Sequence, residues 1–118
     1  MDNLEKLKQV RMEKLESLKK TGINPYPAKV SRTHTNKEAL DAFDKLLTKK
    51  ITLVGRIRSI RGHGGSTFFN IEDGSTSLAT SAQIQAYLKK DGVGEKDYKL
   101  FLDTIDIGDF IELGGILF

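Results

Sequence analysis

RGHGGSTFFNIED, running from Arg61 to Asp73, sets two adjacent phenylalanines in a β-rich run directly after a glycine turn. Successive side chains of a strand point to opposite faces, so Phe68 and Phe69 cannot both enter one core. With Phe69 and Ile71 inside, Phe68, Asn70 and Glu72 face outward. A chain that exposes a phenylalanine beside Arg61 needs a sheet whose outer face has a task of its own.

At 118 residues the chain suffices for one domain with an appendage. Lys and Arg exceed Asp and Glu by 19 to 16, a net charge of only +3. Attraction to polyanions therefore depends on where the charges sit rather than on their total. The chain has no cysteine, which excludes a disulfide framework, a thiolate metal site and a thiol nucleophile. No run approaches the roughly 18 apolar residues that span a bilayer, and the N-terminus lacks the apolar stretch of a signal peptide. A cytoplasmic protein without membrane contact is the expectation.

Taken in order, DNLEKLKQVRMEKLESLKK predicts a helix over residues 2–20, with Leu4, Leu7, Arg11, Leu15 and Leu18 on one side. Its apolar stripe is narrow and its far face is charged. That face is either solvated or a basic surface for RNA phosphates or a partner subunit. Gly22, Pro25 and Pro27 stop the helix and give an extended linker. Thr35 and Glu38 form a capping-box pattern that opens a helix through Ala39, Leu40, Phe43 and Leu46–Leu47. His34, just before it, reads as a loop hydrogen-bonder.

From Ile51 the period becomes that of strands. ITLVGRIRSIR holds Gly55, which predicts a bulge or sharp bend, and Gly62, Gly64 and Gly65 turn the chain into STFFNIED. QIQAYLKK alternates, with Ile84, Ala86 and Leu88 on one face and Gln83, Gln85 and Tyr87 on the other. DGVG reads as a turn. Residues 95–104 read as a helix with Tyr98, Phe101 and Leu102 on its apolar side, and a last strand begins near Ile107. Asp103, Asp106 and Asp109 cap the junction between them.

Three strands, a helix and a fourth strand, the first strand bent by a glycine, describe a mainly β protein with helices: an OB-fold barrel. That fold takes five strands, so the barrel is expected to be incomplete at its last strand, unless residues 75–82 supply a short one. The predicted organisation is an N-terminal helical extension and linker over 1–49 and the barrel over 50–118.

For catalysis the sequence is poor. Its two histidines have no partners at metal-ligand spacing, and GHGGST lacks the lysine of a phosphate loop and opens no helix. For nucleic-acid binding it is better. Arg56, Arg58, Arg61, Phe68, Asn70, Gln83, Gln85 and Tyr87 are all predicted on the outer face of adjacent strands. Single-stranded bases are held by stacking on aromatic rings and by hydrogen bonds to their edges, and an outward glutamine can pair with a base edge in a bidentate way. Each of these residues taken alone is also an ordinary solvated strand residue; their co-location raises the joint assignment.

RMEKLESLKKTGINPYP, SRTHT, LVGRIRSIRGHGGSTFFNIED, IQAYLKKDGVGEKDYKLF and DIGDFIELGGILF, in this order, resemble the N-terminal part of bacterial lysyl-tRNA synthetases. The resemblance covers essentially the whole chain. It implies an anticodon-binding OB domain whose partner is lysine tRNA, ahead of a class II catalytic domain. It further implies that Phe68 stacks on the central anticodon base, that Gln85 reads that base as uridine, and that Arg61 helps hold the nucleotide. Arg56, Arg58 and Gln83 would extend the RNA-binding surface. No cofactor is implied for this stretch, since ATP and magnesium belong to the catalytic domain; without it the chain should not aminoacylate, and the full-length enzyme would be a homodimer. DGSTSLATSAQ lengthens the usual short turn before IQAY, and a slip of one residue there would bury Gln85. The alternatives are a generic single-strand-binding OB module and a structural or dimerisation fragment.

Overall fold

The computed structural model describes residues 2–27, 29–75 and 83–118. Helix α1 (Asn3–Lys20) is capped by Asp2, whose side chain accepts the Glu5 backbone N–H, and closes with Lys19 and Lys20 in its last turn, the sign its dipole favours. α1 buries no residue. The Thr35–Glu38 capping box is formed, but the helix it opens comes in two pieces, α2 (Asn36–Asp41) and α3 (Phe43–Leu46), broken at Ala42. Ala39 and Asn36 of α2 are buried, whereas Leu40 is exposed.

Among the described residues the sheet has four antiparallel strands, β1 (Lys50–His63), β2 (Ser66–Glu72), β3 (Ile84–Lys89) and β4 (Phe110–Ile116), in the order β3-β2-β1-β4. β1 serves both halves: residues 50–56 pair with β4 and residues 56–63 with β2, and Arg56 is paired on both sides. This curls the sheet into a half-barrel, the incomplete OB arrangement the strand pattern predicted. β3 and β4 are its two edges. The helices α4 (Lys90–Val93) and α5 (Glu95–Thr104) lie between them in sequence.

Two irregularities bend β1, and they divide the work assigned to Gly55. A Cβ at Gly55 would lie 2.9 Å from the Glu72 carbonyl oxygen and 3.2 Å from the Ile71 Cβ, so glycine is needed for close strand crossing. The bulge itself sits between Ile57 and Ser59. The extra residue, Arg58, resets the alternation, so that Ile51, Leu53 and Ile57 point inward before it while Arg61 points outward after it.

The core is Ala39, Ile51, Leu53, Ile57, Phe69, Ile71, Ile84, Ala86, Leu88 and Tyr98, with Phe101 of α5 and Ile105 just after it among the residues packed against it. Phe69 and Phe101 meet with ring centroids 5.1 Å apart. Leu102, assigned to the apolar side of α5, is exposed instead; the helix turns Tyr98, Phe101 and Ile105 inward at spacings of three and four. The DGVG turn is helical: Asp91, Gly92 and Val93 lie in the single turn of α4 and Gly94 follows as its C-cap. The last strand begins at Phe110, because Gly108 and Asp109 clasp Ile57 through backbone hydrogen bonds of 2.8 Å and occupy the approach.

α1 returns to this junction. Arg11 meets Asp109 at 2.7 Å and Asp106 at 3.5 Å, and Lys14 meets Asp106 at 2.6 Å. Two of the three aspartates predicted to cap the junction, Asp106 and Asp109, thus clamp the first helix. Between α1 and the β4 side runs an open, apolar cleft of about 1440 Å³, lined by residues including Leu7, Leu15, Tyr26, Phe101 and Leu113. The expectation of an extra strand over 75–82 falls almost wholly on residues 76–82, outside the described ones.

Candidate nucleic-acid interface

Strand pairing lines the outer-face residues up in rows. Arg61, Phe68 and Tyr87 stand side by side on β1, β2 and β3, and Ser59, Asn70 and Gln85 form the next row. Directly opposed residues of antiparallel strands hold their Cβ atoms about 4.5–5.5 Å apart. The Phe68 and Tyr87 rings accordingly stack, with centroids 4.6 Å apart and an angle of 28° between planes. Both rings are half-buried. The Lys89 ammonium lies 5.6 Å from the Tyr87 ring centre, where a cation gains from the ring's negative face.

The three arginines expected on this surface have separate fates. Arg56 places its guanidinium 4.6 Å from the centre of the Phe110 ring, which is 70% exposed. Arg58, the bulge residue, faces Glu72 at 3.7 Å. Arg61 is exposed and has no ion pair or side-chain hydrogen bond among the described residues. Among the described residues it is the one of the three with neither a cation–π contact nor an ion pair.

The two glutamines separate in the same manner. Gln83 donates to Glu72 at 3.2 Å, so Glu72 gathers Arg58 and Gln83 into one local network. Gln85 is exposed, in register with Asn70, and without a side-chain partner among the described residues. Ile84, Ala86 and Leu88 are buried, so β3 has the register that turns Gln85 outward despite the longer connection before it. Phe68, Gln85 and Arg61 therefore share one neighbourhood, while Arg56, over the Phe110 ring, and Arg58 and Gln83, both facing Glu72, flank it. The role of Glu72 escaped sequence reasoning, although its parity with Phe68 and Asn70 placed it on this face.

The inner side of β2 holds the platform rigid. Thr67 and Tyr98 share a buried hydrogen bond of 2.8 Å, and the Tyr98 hydroxyl also lies 3.4 Å from the Gly64 carbonyl. Gly65 accepts the Lys90 backbone N–H at 2.9 Å. The glycine turn before Phe68 and the end of β3 are thereby tied together and to α5. Gly64 has φ of +56°, a left-handed conformation that glycine adopts without the steric cost of a side chain.

At the far end of β2, Asp73 accepts the Asn36 backbone N–H at 3.0 Å and the Ser75 backbone N–H at 3.0 Å, and bonds the Ser75 hydroxyl. Partial burial alone would raise the Asp73 carboxyl. The hydrogen bonds from Ser75 and Asn36 and the charge of Arg32 together outweigh it and hold the carboxyl below its usual range. Glu38 is likewise lowered, by its backbone and side-chain hydrogen bonds with Thr35. His34 shares a 2.8 Å hydrogen bond with Thr33, as a loop residue should. No group of three metal-ligating side chains occurs among the described residues, and no helix among them is long and apolar enough to cross a membrane.

Residues 51–118 match a family described as OB-fold nucleic acid binding domain. Among curated proteins the chain is 44% identical over 115 residues to a lysine--tRNA ligase of Carboxydothermus hydrogenoformans, a match covering 98% of this chain and 22% of that protein. It is 40% identical to a lysine--tRNA ligase of Pelotomaculum thermopropionicum, over 99% of this chain and 22% of the relative. For the lysine--tRNA ligase of Fervidobacterium nodosum the identity is 35%, again over 98% and 22%. The chain thus spans about a fifth of the length of these relatives.

Proposed function

Because the chain belongs to the family of OB-fold nucleic acid binding domains, we propose that it binds the anticodon loop of lysine tRNA as the N-terminal module of a lysine--tRNA ligase. In this reading Phe68 stacks on the central anticodon base, Gln85 hydrogen-bonds that base as a uridine, and Arg61 holds the same nucleotide. Arg56, Arg58 and Gln83 border the site and tune its charge through Phe110 and Glu72. The setting is the cytoplasm, and the complete ligase, with ATP and magnesium at its catalytic domain, works as a homodimer.

One observation carries the proposal: a stacked aromatic pair on the outer face of the sheet stands next to an arginine and a glutamine whose side chains hydrogen-bond to no other described residue. Aromatic–base stacking is worth about 1–3 kcal/mol per base, and a guanidinium can pair with phosphate through two parallel hydrogen bonds. The rigid backing of β2 means that little of this is lost in ordering the platform on binding.

The test is a fluorescence titration of the chain with a lysine anticodon stem-loop. Phe68→Ala and Gln85→Ala should each weaken binding by about 1–3 kcal/mol, whereas Gln83→Ala, which loses only a bond to Glu72, should change it little. Equal affinity of the wild type and Phe68→Ala for the stem-loop would remove this surface from the binding site.

A further inference from the structure

We infer that Asn70 is a second base-contacting residue, acting with Gln85 as an amide pair on the edge of the central base; the inference rests on the proposal that a base stacks on Phe68. Three observations carry it. Asn70 lies two residues from Phe68 on β2 and shares its outer face. It is directly opposite Gln85 across the β2–β3 pair. Neither amide has a side-chain partner among the described residues, so the donors and acceptors of both are free to meet a base from the outer face.

The stacked pair fixes where the base can enter. Tyr87 covers the face of Phe68 that looks toward β3. The open face therefore looks across β1, toward Arg61, its in-register neighbour. A base seated there has its edge over the next row of the sheet, where Asn70 stands on the same strand as Phe68 and Gln85 one strand further out. Gln85 on its own would reach such a base across Asn70.

The chemistry of the edge asks for two amides as well. Uracil presents an acceptor, a donor and an acceptor along one side. A single carboxamide has one oxygen and one N–H pointing the same way, so it satisfies the N3–H and one carbonyl and leaves the other carbonyl without a donor. A polar edge left unpaired in a closed contact loses binding. The Asn70 NH2, held beside Gln85 by strand register, supplies that donor.

The experiment compares two stem-loops that differ only at the central anticodon position, one carrying uridine and one an abasic ribose. Asn70→Ala should weaken binding of the uridine loop by about five- to a hundredfold and leave the abasic loop unchanged. Asn70→Asp, which keeps the shape and removes the N–H donors, should show the same difference between loops, since its added charge acts on both. A penalty of equal size on both loops, or on neither, overturns the amide pair. Phe68→Ala and Gln85→Ala are measured alongside. If those two leave the uridine loop unaffected, the site itself has been misplaced; if they weaken it while Asn70 shows no dependence on the base, only the amide pair fails.

Discussion

Phe68 is one ring of a stacked pair, so its removal has two separable consequences. The cross-strand contact with Tyr87 is worth about 0.5–1.5 kcal/mol of fold stability beyond the area the two rings bury. Phe68→Ala should therefore lower the urea midpoint modestly besides weakening RNA binding, and Phe68→Tyr should restore both. At the same scale, Asp73 and Glu38 give the fold its acid limb. Their carboxyls are held below their usual range, so what they contribute is fully present above about pH 5 and is lost as pH falls through their lowered values. Urea melts between pH 7 and pH 3 should show stability falling at the acid end, and Asp73→Asn should show a shallower fall. Residue parity was legible for Phe68, Asn70 and Gln85 because each strand alternates without interruption. It was not sufficient for the arginines: Arg56 and Arg61 differ in parity, and both face outward only because Arg58 is an extra residue in the strand.

Among the elements, β1 carries the largest burden, since it pairs with both neighbours and is bent in two places. The missing side chain at Gly55 is what lets it cross β2, and Gly55→Ala would press a Cβ against the Glu72 backbone at 2.9 Å. A backbone contact cannot rotate away, so the substitution should destabilise by about 1–3 kcal/mol, visible in thermal melts. α1 is held differently. It buries no side chain fully, and exposed ion pairs contribute only about 0.2–1 kcal/mol each, so its attachment leans on the network of Arg11, Lys14, Asp106 and Asp109. Asp109→Ala together with Asp106→Ala should speed amide exchange throughout α1 while the amides of β1 and β2 stay protected. The elements themselves were legible from periodicity and caps. Their ends were not, where tertiary contacts decide: Ala42 interrupts the capped helix, and Gly108 and Asp109 are bound to Ile57 before β4 can begin. Leu102 was misassigned because a ten-residue helix offers two apolar stripes, and only packing against Phe69 selects one.

For the whole molecule, the net charge of +3 is too small to draw RNA from a distance, and binding depends on local placement. Affinity for a stem-loop should fall with salt, and Arg61→Gln should reduce the slope of log K against log salt by about 0.7, the value of one phosphate contact on a single strand. Arg58→Gln, whose charge is already balanced by Glu72, should alter that slope less. The half-barrel was legible as four strands and a helix with one strand position unfilled, because strand period and glycine placement are local signals. The cleft beside α1 was not, since it arises from ion pairs between residues more than ninety positions apart. The proposed function rests on how the outer rows of β1, β2 and β3 would meet a single base. The decisive measurement is the dissociation constant of the chain for four anticodon stem-loops identical except for U, C, A or G at the central position. Tightest binding to the U loop, by about tenfold or more over the purines, with that preference reduced by Gln85→Ala, is the predicted result; equal affinity for all four loops would contradict it.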